Sequence, residues 1–255
     1  MGKAVALANQ KGGVGKTTTA INLAYSLSQI GKKILLVDMD PQGNAGSGLG
    51  FDVGKIKENV YFWLIDQKNF SECCHRTKWS NLEIVPANID LAGFEVDMRD
   101  NNDRDYVLRD HLRPILPHYD FVLVDCPPSL GLLTINSLVA CDSVLIPLQC
   151  EYFALEGLSQ LLRIIKLVQS QLNTRLVLEG LLLTMYDSRT RLSAQVVADV
   201  RQHFKEQVYE VIIPRNVKLS EAPSFGEPVG VYDPDSSGAL SYRQLAQEFL
   251  ERQGA

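Results

Sequence analysis

Gln10-Lys11-Gly12-Gly13-Val14-Gly15-Lys16-Thr17-Thr18 lies between the apolar run Ala4–Ala8 and a helical pattern that begins near Thr17, and this order decides the fold. The run reads as a buried strand, the glycines as a tight loop, and the loop opens a helix. Glycine lets backbone N–H groups approach an anion closely, and a helix N-terminus adds partial positive charge. Lys16 is spaced to reach β- and γ-phosphates, and the Thr17 hydroxyl to ligate Mg²⁺. The usual G-x-x-x-x-G-K-[ST] spacing asks for glycine where this chain has Gln10.

Two acidic strand ends complete the expected site. Phe121–Val124 is an apolar strand closed by Asp125, which is where phosphate-loop proteins hold the acid on the Mg²⁺ side, often through water. Ile34–Val37 is followed by Asp38-Met39-Asp40-Pro41. Side chains alternate along an extended chain, so Asp38 and Asp40 share a direction, and Pro41 stops the strand. Either acid could face a γ-phosphate, or it could cap the next helix.

Farther out, Val144–Ile146, Leu181–Leu183 and Val211–Ile213 also lack polar alternation, as strands covered on both faces do. Between the strands, residues 20, 23, 24, 27 and 30 form one helical stripe, and Leu155, Leu158, Leu161, Leu162 and Ile165 form another. The expected fold is α/β: a single-domain, doubly wound, mostly parallel sheet with helices on both faces, of the P-loop NTPase kind, binding ligands outside the carboxyl ends of its strands. Residues 52–80 give no clear pattern, and Asn101–Asp105 reads as a loop leading into a helix.

Among 255 residues, 30 acidic against 25 basic leave a net charge of −5, which excludes a fold-wide positive field. Any nucleic-acid contact must therefore be a local patch. Five cysteines without metal-ligand spacing point to a reducing compartment, and no run of about 18 apolar residues could cross a bilayer. Cys73-Cys74-His75 has no second cluster with which to form a metal site. The last helix, near Leu240–Leu250, carries Glu248 and Glu251 against Arg243 and Arg252, too little net basic charge for a membrane-surface helix.

Lys11-Gly12-Gly13-Val14-Gly15-Lys16-Thr17 resembles the deviant Walker A loop of the ParA/MinD ATPases, marked by an extra lysine near its start. Four further segments are similar to chromosomal ParA proteins of the Soj type: Val37–Asn44, Asp125–Ser129, Glu151–Gly157, and Ile213–Val217 through Glu221–Ser224. The resemblance spans nearly the whole chain. It implies one ATPase domain over residues 1–255, with no room for an N-terminal helix-turn-helix extension.

By this resemblance, Lys11 crosses a dimer interface to the partner's nucleotide phosphates, which makes pairing depend on ATP. Lys11, Lys16 and Asp40 would be catalytic, with Asp40 positioning the attacking water. Lys11, Gly12, Gly13, Val14, Gly15, Lys16, Thr17 and Thr18 would hold the phosphates, and Pro214 and Asn216 would border adenine. Thr17 and Asp125 would serve the Mg²⁺, with Asp38 supporting its outer shell. The implied partners are a second copy in the ATP state, non-specific double-stranded DNA and a ParB-type centromere-binding protein that stimulates slow hydrolysis. DNA would meet Arg189 and Lys218, with Arg201 and Lys205 extending the patch. Position 218 is usually arginine in this pattern, so Lys218 keeps the charge and loses the fork. The expected setting is cytoplasmic and nucleoid-associated. The alternative is a MinD-like membrane switch acting through the C-terminal helix; a third class, an iron–sulfur relative, would need a second ligand beside Cys126.

Overall fold

The computed structural model describes residues 2–151 and 154–254, with 154–156 described by their backbone alone. Tyr152 and Phe153 of the Glu151–Gly157 segment, and Leu155 of the second stripe, therefore lie outside the described residues.

Seven strands form one sheet: β1 Lys3–Leu7, β2 Ile34–Asp38, β3 His75–Arg76, β4 Leu82–Val85, β5 Phe121–Asp125, β6 Ser143–Gln149 and β7 Val177–Thr184. Their spatial order is β3-β4-β2-β5-β1-β6-β7, parallel throughout except for the antiparallel edge pair β3–β4. Register levels the three central strand ends. Leu7 and Asp38 each pair with Asp125, so the segments that follow β1, β2 and β5 leave the sheet side by side. Ligands of doubly wound sheets bind in this position.

The five longest helices among the described residues are α1 Lys16–Gln29, α2 Leu132–Ala140, α3 Ala154–Gln171, α4 Arg191–Phe204 and α5 Ser237–Gln253. Strand side chains alternate between two cores. Val5, Leu36, Leu123 and Leu145 pack with Leu23 and Leu27 of α1 and Leu245 and Phe249 of α5. On the opposite face, Ala6, Val37, Val124 and Ile146 pack with Leu138 of α2, Leu161 of α3 and Val200 of α4. Burial on both sides is why the central strands read as continuous apolar runs. The apolar face of α5 is spent on this packing, which removes the free face that a membrane-lying helix requires. No helix among the described residues is long and apolar enough to cross a membrane.

Three expectations need correction. Val211–Ile213 is not a strand: Ile213 N–H reaches Leu183 O (2.9 Å), but Val211 N–H turns to the Glu248 carboxylate (2.9 Å), so no ladder propagates along β7. Ile30 lies just past α1 and is 48% exposed, outside the buried stripe. The illegible stretch and its sequel hold β3 and β4; Glu83 interrupts the apolar run of β4 and accepts the Tyr119 hydroxyl (2.5 Å).

Candidate nucleotide site and basic surface

The loop after β1 is shaped by glycine at two positions. Gly13 (φ 74°) and Gly15 (φ 87°) adopt left-handed conformations that an L side chain would strain, and Gly15 is the N-cap of α1. No side chain caps that helix and no acid sits in its first turn, which leaves the leading N–H groups open to an anion. The loop is anchored from the sheet: Asn9 Nδ2 donates to Pro147 O (2.6 Å), Lys11 N–H to Asn9 Oδ1 (3.0 Å), and Thr184 Oγ1 to Val14 O (2.8 Å). Gln10, at the irregular position, has a buried Oε1 without a hydrogen-bond partner.

Lys16 is 6% exposed, and its Nζ lies 3.4 Å from Lys11 O. Burial lowers its pKa, while the charges of Asp125 and Asp40 oppose that shift. Gly12, Gly13, Lys16, Thr17, Thr18 and Asp40 line one cavity of about 490 Å³. With Gly15, six of the expected phosphate ligands and one of the two candidate acids meet here, while Lys11 and Val14 do not line the cavity.

The acids divide the work differently from one another. Asp38 is fully buried: its Oδ1 accepts from Asp40 N–H (3.0 Å), and its Oδ2 from Ala45 and Gly46 N–H (3.1 and 3.4 Å). It therefore organises the loop carrying Asp40, and the capping role is the one observed. Oδ1 accepts one bond and keeps a second acceptor position, which leaves room for the outer-shell role expected of Asp38. Asp40 Oδ1 accepts from Gln42 N–H (3.0 Å), and Oδ2 has no hydrogen-bond partner among the described residues.

Asp125 is buried with both oxygens unpartnered. Burial pushes its carboxyl up to about 7; the Thr17 hydroxyl and Lys16 charge pull it down, and Asp40 raises it further. Asp38, beside it in the ladder, is raised by burial and by the Asp125 charge. An orphaned carboxylate next to a hydroxyl suits a hard divalent cation, whether held directly or through water. No group of three or more His, Cys, Asp or Glu among the described residues could cage a metal alone, so phosphate or water must supply further ligands.

Lys11 is held within its own chain: Nζ lies 3.1 Å from Glu151 Oε2 and 3.3 Å from Gln149 Oε1, and Gln149 Nε2 donates to Glu151 Oε1 (2.6 Å). A second cavity, of about 470 Å³, shares Gly15, Thr18, Met185 and Pro223 with the first and continues to Arg215, Asn216 and Tyr242. Its volume and continuity suit a base. Asn216 is half-buried. Its Oδ1 N-caps the short helix Val217–Glu221 by accepting from Lys218 N–H (2.8 Å), and its Nδ2 donates to Ser237 Oγ (2.7 Å). One hydrogen and one lone pair of that amide remain for a base edge. Pro214 does not line the cavity; its backbone bridges to Tyr186.

Met185 went unnominated, although it joins the two cavities in a left-handed conformation (φ 53°). Its signal was available, because it directly follows a strand that ends on the ligand-binding edge. Gln149 and Glu151 were missed for a different reason: only the fold brings them to Lys11.

Three of the four expected DNA-facing cations are paired with an acid of their own chain. Arg189 grips Asp187 with two bonds (Nε–Oδ1 2.9 Å, Nη2–Oδ2 2.6 Å), Lys218 pairs with Glu221 (3.0 Å), and Arg201 with Glu210 (3.0 Å). Lys205 is exposed with no side-chain partner among the described residues. It follows α4, whose 14 residues separate it from Arg191 by about 20 Å at 1.5 Å per residue. Cys126 is buried and its thiol is pushed up to about 12 by burial, an environment that disfavours a thiolate ligand.

A family model described as an AAA domain matches residues 2–178. The chromosome partitioning protein ParA of Myxococcus xanthus is 55% identical over 252 residues, which cover 99% of this chain and 89% of that protein. The sporulation initiation inhibitor protein Soj of Bacillus subtilis is 53% identical over 248 residues, covering 97% and 98%. Among solved structures, one described as cobyrinic acid a,c-diamide synthase of Mycobacterium smegmatis, with bound ATP analogue and magnesium, is 39% identical. It superposes with a TM-score of 0.90 over 100% of this chain and 96% of that one.

Proposed function

The chain belongs to the ParA/MinD family of deviant Walker A ATPases, on its ParA/Soj branch, and from that premise we propose that it is an ATP-driven partitioning switch. ATP binding pairs two copies, the pair holds double-stranded DNA without sequence preference, and slow hydrolysis, stimulated by a ParB-type partner, releases it. The whole of residues 1–255 works as one ATPase unit, and its place in the cell is the nucleoid.

The single observation that carries this reading is the cavity in which Lys16, Thr17, Asp40 and the open N-terminus of α1 converge. The backbone N–H groups of residues 13–16 and the Lys16 ammonium neutralise β- and γ-phosphate oxygens. Thr17 and Asp125 would hold a nucleotide-bound Mg²⁺, which draws further charge from those phosphates. Asp40 Oδ2 accepts a proton-bearing bond from water and aims it at the γ-phosphorus. Lys11 leaves Gln149 and Glu151 and neutralises the partner's nucleotide, which makes ATP occupancy a condition of pairing. Met185, Asn216 and Tyr242 enclose the base.

The test is light scattering with magnesium and ATP, together with phosphate release. Wild type should pair only with ATP; Asp40→Ala should pair, remain on DNA and fail to hydrolyse; Lys16→Ala should do none of these. An ATP-loaded, hydrolysis-blocked protein that stays single overturns the reading. The docked face of α5 gives no support to the membrane-switch alternative.

A further inference from the structure

We infer that Glu227 receives the hydroxyl groups of the nucleotide's ribose, and so tells a ribonucleotide from its deoxy counterpart. The inference rests on the nucleotide-binding reading above and names the residue that selects the sugar.

Asp40 and Glu227 are the two acids that line the nucleotide cavity among the described residues. The charge of Asp40 is felt by Lys16, which puts it at the phosphate end. Glu227 is half-buried, and its side chain has no hydrogen-bond or ion-pair partner among the described residues. An unpaired acid in a cavity made for phosphate repels the charged end of the ligand, so it must face a neutral part that carries donors. An adenine nucleotide has two such parts, the base amine and the ribose diol. The base belongs to the second cavity, which Glu227 does not line. The diol remains.

Placement leads to the same part of the ligand. Ribose joins base to phosphates, so it lies where the two cavities meet, at Gly15, Thr18, Met185 and Pro223. Glu227 is tied to that junction by two routes. Its N–H donates to Ala222 O (3.3 Å), next to Pro223. Asn22 of α1 donates from Nδ2 to Thr18 O (2.8 Å) and accepts at Oδ1 from the N–H of Val229 (2.8 Å), two residues beyond Glu227. The backbone on either side is held as well. Gly226 is left-handed (φ 66°) and so close to its neighbour that a Cβ there would lie 2.4 Å from Gly50 Cα, while Pro228 restricts Glu227 from the other side. A carboxylate presented in this way can accept from both hydroxyls of a diol, as an acid does for ribose in dinucleotide-binding folds.

The test is calorimetric titration with ADP, 2′-deoxy-ADP and 3′-deoxy-ADP in the presence of magnesium; diphosphates keep hydrolysis and ATP-dependent pairing out of the measurement. A hydrogen bond to a carboxylate is worth about tenfold in affinity, so wild type should bind at least one deoxy analogue about tenfold more weakly than ADP. Glu227→Ala should bind all three alike. Loss of the acid also eases repulsion of the phosphates, but that gain is common to the three ligands and cancels in the ratio. Glu227→Gln, which keeps an acceptor and loses the charge, should shrink the ratio, and it decides alone if the alanine variant melts early. A wild type that binds the three equally, or a variant with the wild-type ratio, overturns the inference. A folded wild type that binds none of them overturns the nucleotide reading instead.

Discussion

Replacing Asp125 with asparagine should stabilise the nucleotide-free protein, and more so as pH rises. The folded carboxyl keeps its proton up to about 7, whereas the unfolded one loses it near 3.8. Between those values the unfolded chain binds fewer protons, so stability falls as pH rises through the window, and the loss is complete above pH 7. At about 1.4 kcal/mol per pH unit, the full loss is roughly 4 kcal/mol, of which roughly 3 falls above pH 5. The asparagine amide brings its own cost of about 1–3 kcal/mol for an unpaired buried group, but that cost does not vary with pH. The informative quantity is therefore the change in the gap between the two proteins. In EDTA and without nucleotide, the variant should gain roughly 3 kcal/mol on wild type between pH 5 and pH 8, or about 5–10 °C in melting temperature. Magnesium and ATP should then stabilise wild type more than the variant at pH 8, because only the carboxylate gains a cation. Parallel melting curves across that range would refute the claim that Asp125 is buried without compensation.

Glu151→Gln loosens the hold on Lys11. A pair this exposed, at 40% and 47%, is worth about 0.5 kcal/mol, and two are broken per dimer, so ATP-dependent association should rise roughly fivefold by sedimentation velocity. Weaker association would mean that the carboxylate acts across the interface. Gly15→Ala meets a left-handed backbone and should lower both stability and ATP affinity, by about 1 kcal/mol or more in thermal melts. Phe249→Ala removes a fully buried ring from the core under α5 and should cost about 3–5 kcal/mol in denaturant unfolding.

What the sequence disclosed follows from how each element is buried. Strands covered on both faces are readable as uninterrupted apolar runs, and β1, β2, β5 and β6 were found for that reason. β4 was missed because Glu83 is kept half-buried by the distant Tyr119 hydroxyl, a partner that local pattern cannot reveal. Val211–Ile213 misled for the converse reason: it is apolar, but one of its N–H groups is claimed by Glu248 on a helix 37 residues away. In the site, the glycine loop and the strand-end acids were legible because their chemistry is contained in a few consecutive residues. The capping role of Asp38 and the tethering of Lys11 to Glu151 depend on contacts made elsewhere. So does the state of the basic residues, where sequence counts charges but not their pairing.

The amides of Asp40, Ala45 and Gly46 all converge on one buried carboxylate, so the segment bearing Asp40 is already set before any fuel arrives. An activator can gain nothing by ordering what is already ordered. To quicken turnover it must bring a charge, expel a solvent molecule, or pry the segment loose from Asp38. The first two would raise the rate without altering the fold of that segment, and the third would show as new amide exchange at residues 40–46.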